Sequence, residues 1–183
     1  MKKMIISVLG KDRPGIIAAV TRILFEQDCN IENVSQTILQ NEFSGIFIVG
    51  VPDSLSDSTL HQHLEVGLSR MGLHVYEKPL SETPEAPSVA SEPFVITTKG
   101  PDRKGLVATV TAVMAAHRVN VTNLQAVFKG GNDPNANIMI YEVDIPNDAD
   151  QQALRKELQE KARALSLDIS IQHKLIFEAI NRV

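Results

Sequence analysis

Met4-Ile-Ile-Ser-Val-Leu-Gly10-Lys-Asp-Arg-Pro-Gly15-Ile-Ile17 returns ninety residues later as Phe94-Val-Ile-Thr-Thr-Lys-Gly100-Pro-Asp-Arg-Lys-Gly105-Leu-Val107. Aligned without a gap, Met4 to Ile38 and Phe94 to Phe128 share 10 of 35 positions. Among them are Gly10/Gly100, Asp12/Asp102, Arg13/Arg103, Gly15/Gly105, Asn30/Asn120 and Asn33/Asn123. Most identities are glycine or polar, so a shared apolar pattern does not produce them. The chain reads as two copies of one unit.

Each copy reads as strand, helix, strand, strand, helix, strand. Met4 to Leu9 and Phe94 to Thr98 are largely apolar runs ending at or just before a glycine, as expected of central strands. Ile16, Ile17, Val20, Ile23 and Leu24, with Leu106, Val107, Val110, Val113 and Met114, each fall on one helical face. Second strands open at Asn30 and Asn120, and third strands cover Ile46 to Val51 and Ile138 to Ile145. Second helices are predicted over Asp57 to Met71 and Ala149 to Leu165, and last strands over Leu73 to Glu77 and Leu167 to Gln172. Two right-handed crossovers in such a length give an α+β unit, a ferredoxin-like βαββαβ sheet with both helices on one face. The predicted domains are 1–78 and 94–183. Between them, Pro79 to Pro93 holds four of the nine prolines and no lysine or arginine, the composition of an extended linker.

Composition narrows the function. Net charge is −4 and no Lys/Arg run exceeds two residues, so the footprint of a nucleic-acid binder is missing and no direct nucleic-acid contact is expected. The N-terminal apolar run is broken by Lys11 to Arg13, too soon for a signal sequence or a membrane span. A cytoplasmic protein without membrane contact is expected. One cysteine, Cys29, excludes an internal disulfide, and its alignment with Val119 marks it as a small hydrophobe. His61 and His63 sit two apart on a predicted helix and point to different sides, so no metal site is expected there.

The repeated turn carries the chemistry. Gly10 and Gly100 are read as letting the chain leave the strand sharply, and Gly15 and Gly105 as clearing space at the helix start. Pro14 fits the first helical turn, and Asp12 is placed to cap its free amides. Free N–H groups and the positive end of the helix dipole favour a carboxylate, while Asp12 or Asp102 can accept from an ammonium group. A free amino acid carries both charges, and Asn30, Asn33, Asn120 and Asn123 can donate to one and accept from the other. The same residues also admit a purely structural account: a cap, two turns, and amides that satisfy backbone groups at the start of a strand. Composition and spacing leave both open.

Gly-Lys-Asp-Arg-Pro-Gly-Ile at 10–16, followed by Cys-Asn-Ile-Glu-Asn at 29–33, resembles the opening of an ACT domain, the small amino-acid-sensing module of metabolic enzymes and regulators. Both repeats carry it. A stand-alone pair joined by a short linker is similar to the glycine cleavage system transcriptional repressor family. The resemblance implies a small effector, glycine or a similar amino acid, often held at a domain or subunit interface. Its contacts would be Asp12, Arg13, Gly15, Asn30 and Asn33, with Asp102, Arg103, Gly105, Asn120 and Asn123. It further implies a transcriptional regulator of glycine or amino-acid metabolism that acts through a partner protein, without cofactor or catalysis. The second copy departs from the pattern, with Lys104 in place of proline. A homodimer, or pairing of the repeats, is expected because edge strands need covering. The alternatives are a detached regulatory pair of a metabolic enzyme and a purely protein-binding module. The Lys129 to Asn137 connection reads as a surface loop, and the tail from Leu175 as a short amphipathic helix that packs on a neighbour.

Overall fold

The computed structural model describes residues 1–80, 89–128 and 137–181. The chain divides into two compact units, Met1–Pro84 and Glu85–Val183. In the first, β1 (Lys2–Lys11), α1 (Ile16–Glu26), β2 (Asn30–Leu39), β3 (Glu42–Val51), α2 (Asp57–Ser69) and β4 (His74–Pro79) follow in order. The second repeats this as β5 (Ser91–Gly100), α3 (Leu106–Ala116), β6 (Asn120–Phe128), β7 (Asn137–Pro146), α4 (Gln151–Ala164) and β8 (Asp168–His173), and adds α5 (Lys174–Asn181). Strand order is β2-β3-β1-β4 and β6-β7-β5-β8, antiparallel throughout. Two tandem ferredoxin-like βαββαβ units are therefore present.

Alternation fixes which face of each sheet is covered. Met4, Ile6 and Val8 of β1, with Phe43, Phe47, Val49 and Val51 of β3, are buried against Val20 and Leu24 of α1 and Leu60, Leu64 and Leu68 of α2. Phe94, Ile96, Tyr141 and Val143 meet Val110, Met114, Leu154 and Leu158 in the same way. Cys29 packs half-buried on the first core, and burial pushes its thiol pKa up. The strand β5 begins at Ser91, three residues ahead of the expected Phe94. Pro93 is tolerated because β5 there pairs only with β7, β8 joining at Phe94. The expected loop at 129–136 lies outside the described residues, as do most of the linker and Val183.

Capping differs from the sequence reading. Ser56 accepts from the Thr59 amide at 3.1 Å and Asp150 from Gln152 and Ala153 at 3.0 and 2.9 Å, so α2 and α4 are capped by side chains. α1 and α3 are not. Their N-cap positions are Gly15 and Gly105 in the left-handed region, φ 95° and 88°, and Asp12 makes no capping bond. Pro14 stands before that cap, outside the helix.

The tail packs within its own unit, although Leu175 and Ile176 stay exposed. α5 packs against β5 and β8 of its own unit, and Lys174 Nζ donates to Glu142 Oε2 at 2.6 Å. Val95, on the sheet face away from α3 and α4, is 3% exposed, whereas its counterpart Ile5 is only half-buried. That hydrogen bond to Lys174 and a second to Asn123 hold the Glu142 carboxyl below its usual pKa.

In the first unit, His61 of α2 meets Glu77 of β4 at 2.7 Å, and this bond, reinforced by the carboxylate's charge, raises the imidazole pKa above 6.5. A raised folded pKa adds stability below the unfolded value that is lost as pH climbs through the folded one. Urea midpoints of the first unit should therefore fall as pH rises from below 6.5 through the raised folded pKa. His61→Gln should flatten that slope, and an unchanged slope would remove His61 as its source.

Candidate functional site

Each unit has a cleft where its first strand hands over to its first helix. In the first, Asp12, Gly15, Ile17, Gln36 and Phe43 line about 430 Å³. In the second, Asp102, Gly105, Ala126, Asn137 and Met139 line about 300 Å³. The helix amides that open into these clefts have no side-chain cap, so the acceptor they want must come from elsewhere. A Cβ built on Gly15 or Gly105 would meet nothing within 4 Å, which leaves the backbone open to a ligand. Glycine is required there by the positive φ.

Gly10 and Gly100 serve a different purpose from the one the sequence suggested. Neither has a positive φ. A Cβ on Gly10 would lie 2.9 Å from the Gly72 carbonyl oxygen, and one on Gly100 2.8 Å from that of Ser166. These glycines let the connection before the last strand press against the first strand.

The other turn residues are partly committed. Arg13 donates through Nη2 to the Met71 carbonyl, tying the turn to the α2–β4 connection. The half-buried Asp12 donates its backbone N–H to the Asn41 carbonyl at 2.7 Å, hooking the turn to the β2–β3 hairpin. Asp102 is exposed and its carboxylate accepts from the Asn137 amide at 3.2 Å, while Arg103 is exposed.

The asparagines lie elsewhere in each unit. Asn30 and Asn120 follow the far ends of α1 and α3, helices of 11 residues and so about 16 Å long. Asn30 borders a separate groove with Thr21, Phe25 and Cys29. A bulge between Ile31 and Asn33 turns Asn33 opposite Ile48, onto the sheet face away from the helices, and Asn123 stands likewise opposite Glu142. Asn123 Nδ2 donates to that carboxylate at 3.0 Å. Within one unit the turn and the asparagines are not brought together. Gln36, Phe43, Ala126 and Asn137 line the clefts instead, and no sequence argument singled out their side chains. The self-alignment stops at Ile38 and Phe128, short of the strands that carry Phe43 and Asn137.

The ACT domain family model matches residues 2–76 and 92–172. The chain belongs to the ACT domain family. ACT domains are regulatory rather than catalytic modules, and this chain holds two of them. A UPF0237 protein of Methanocaldococcus jannaschii is 37% identical over 76 residues, 41% of this chain and 84% of that protein. One from Corynebacterium glutamicum is 43% identical over 70 residues, 38% of this chain and 79% of that protein. Such relatives are one ACT domain long. Over both domains the fold is similar to a crystal structure of an unknown protein from Galdieria sulphuraria, with TM-score 0.76, 22% identity and coverage of 94% and 98%. It is also similar to a protein provisionally assigned as a glycine cleavage system transcriptional repressor, with TM-score 0.63, 20% identity and coverage of 93% and 96%. Among the described residues no helix is long and apolar enough to cross a membrane.

Proposed function

We propose that this tandem ACT protein is a cytoplasmic amino-acid sensor that regulates transcription of amino-acid metabolism through a partner protein. The observation that carries the reading is the uncapped helix start behind a left-handed glycine, present in both domains beside a conserved-in-repeat aspartate. The free amides offer a carboxylate site, and Asp12 or Asp102, which lines the same cleft, an ammonium site. A pairing of domains that sets the turn of one against the second-strand asparagine of another would unite residues that a single domain keeps apart. The long edge strand β2 supports such pairing, with Val34 and Ile38 about half exposed. A link to glycine metabolism is supported by the similar fold of the glycine cleavage repressor candidate.

Thermal unfolding with each amino acid at millimolar concentration tests the reading. A ligand at 100 times its Kd adds about 2.7 kcal/mol, or roughly 5 to 10 °C for a chain of this size. One small amino acid should give that shift, and the Asp12→Asn/Asp102→Asn double variant should lose most of it. No shift with any of the twenty would sink amino-acid sensing.

A further inference from the structure

We propose that the two clefts are not equivalent: the second domain's holds the ammonium group of a small amino acid, and Asn137 sets this specificity. The proposal rests on the amino-acid-sensing reading and assigns its polar half to one domain.

Strand register identifies the position that matters. Gly10 stands opposite Phe43 on β3, and Gly100 opposite Asn137 on β7. Both residues therefore occupy the same place beneath the turn, on the face that carries the helices. In the first domain that place is filled by a phenyl ring, 2% exposed and part of the core. In the second it is filled by a primary amide, 7% exposed.

A buried amide is costly unless both its ends are bonded. Asn137 Nδ2 donates to Asp102 Oδ1 at 3.2 Å. Its Oδ1 is buried and has no partner among the described residues. The carboxylate fixes the orientation, because a flipped amide would set oxygen against oxygen. A carboxylate on the wall of this cleft thus stands next to a solvent-shielded acceptor that lacks a donor, a pair that calls for a group rich in N–H. An ammonium supplies three. Beside it, the uncapped amides at the start of α3 call for a carboxylate. The volume, about 300 Å³ against about 430 Å³ in the first domain, favours a short side chain. In the first domain Phe43 offers no acceptor at this place, and the amide that lines the cleft is instead that of Gln36, exposed on β2 where the second domain has Ala126.

Isothermal titration of the full chain with glycine and the nineteen L-amino acids, and with acetate as a probe lacking the ammonium, tests the assignment. Wild type should bind at least one small amino acid and not acetate. Asn137→Leu should weaken that binding about tenfold, the factor that one charge-assisted hydrogen bond carries. Asp102→Asn, which changes an exposed residue and keeps the fold, should do the same. The side-chain amide signal of Asn137 in a ¹H–¹⁵N spectrum of wild type should move on saturation, a readout that needs no variant. Binding weakened less than fivefold by Asp102→Asn, and by Asn137→Leu if it folds, would overturn the assignment and leave sensing intact. An Asn137 signal that stays still at saturation would do the same, the result expected if a trapped water satisfies Oδ1. Failure of every amino acid to bind wild type would sink both.

Discussion

Gly10→Ala should destabilise the first domain by about 3 kcal/mol, and Gly100→Ala the second by a similar amount. In both places the added methyl meets a backbone carbonyl oxygen and a leucine side chain, at 2.9 Å for Gly72 and Leu73 and at 2.8 and 2.7 Å for Ser166 and Leu167. A backbone carbonyl cannot turn aside as a flexible side chain can. Relief would shift the connection that leads into β4 or β8, and with it Leu73 or Leu167, which are core residues. Gly15→Ala should be milder, about 1 to 2 kcal/mol, because its methyl meets open space and the cost is only the left-handed backbone. Urea unfolding reads the order. The chain has one tyrosine in each domain, Tyr76 and Tyr141, and no tryptophan. In a Tyr141→Phe background, tyrosine fluorescence therefore follows the first domain alone. If Gly15→Ala costs more than Gly10→Ala, close approach is not what selects glycine at position 10.

Phe47→Ala should cost about 4 kcal/mol, roughly a third or more of the ordinary stability of a domain of this size. Phe47 is fully buried at the middle of β3, across from Ile6 of β1 and Val34 of β2, and it belongs to the core under α1 and α2. Truncation removes a ring and leaves a cavity that the two helices cannot close without moving off the sheet. The preceding residue gives the control. Ile46 points to the opposite face and is half exposed, so Ile46→Ala should cost about 1 kcal/mol or less. Equal losses at the two positions would mean that the face away from the helices is also covered in solution.

Much of this architecture was legible because its signals are local. Strand alternation and helical spacing place the apolar face of each element without knowledge of its neighbours, and the repeat doubles every signal. The start of β5 carries no such signal, because Ser91, Glu92 and Pro93 are not apolar. They form strand because β7 reaches Pro146 and pairs with them. An aspartate before a helix is an ordinary capping residue, yet the left-handed Gly15 turns the chain so that Asp12 makes no capping bond.

Local sequence is enough to specify that there are two copies, which face of each element is buried, and that a strand-to-helix turn bearing glycine and aspartate recurs. Those features depend on residues close together in the chain. The tertiary structure alone decided which residues share a cleft. It carried the asparagines to the far end of the helix and onto the other sheet face, and it brought Gly72 and Ser166 against the first-strand glycines. It also set Asn137 where the first domain has Phe43. That equivalence runs across paired strands at an offset of 94 residues rather than 90, because the hairpin between them differs in length. Register between strands is a long-range property, fixed by hydrogen bonding and packing together, and no reading along one strand contains it.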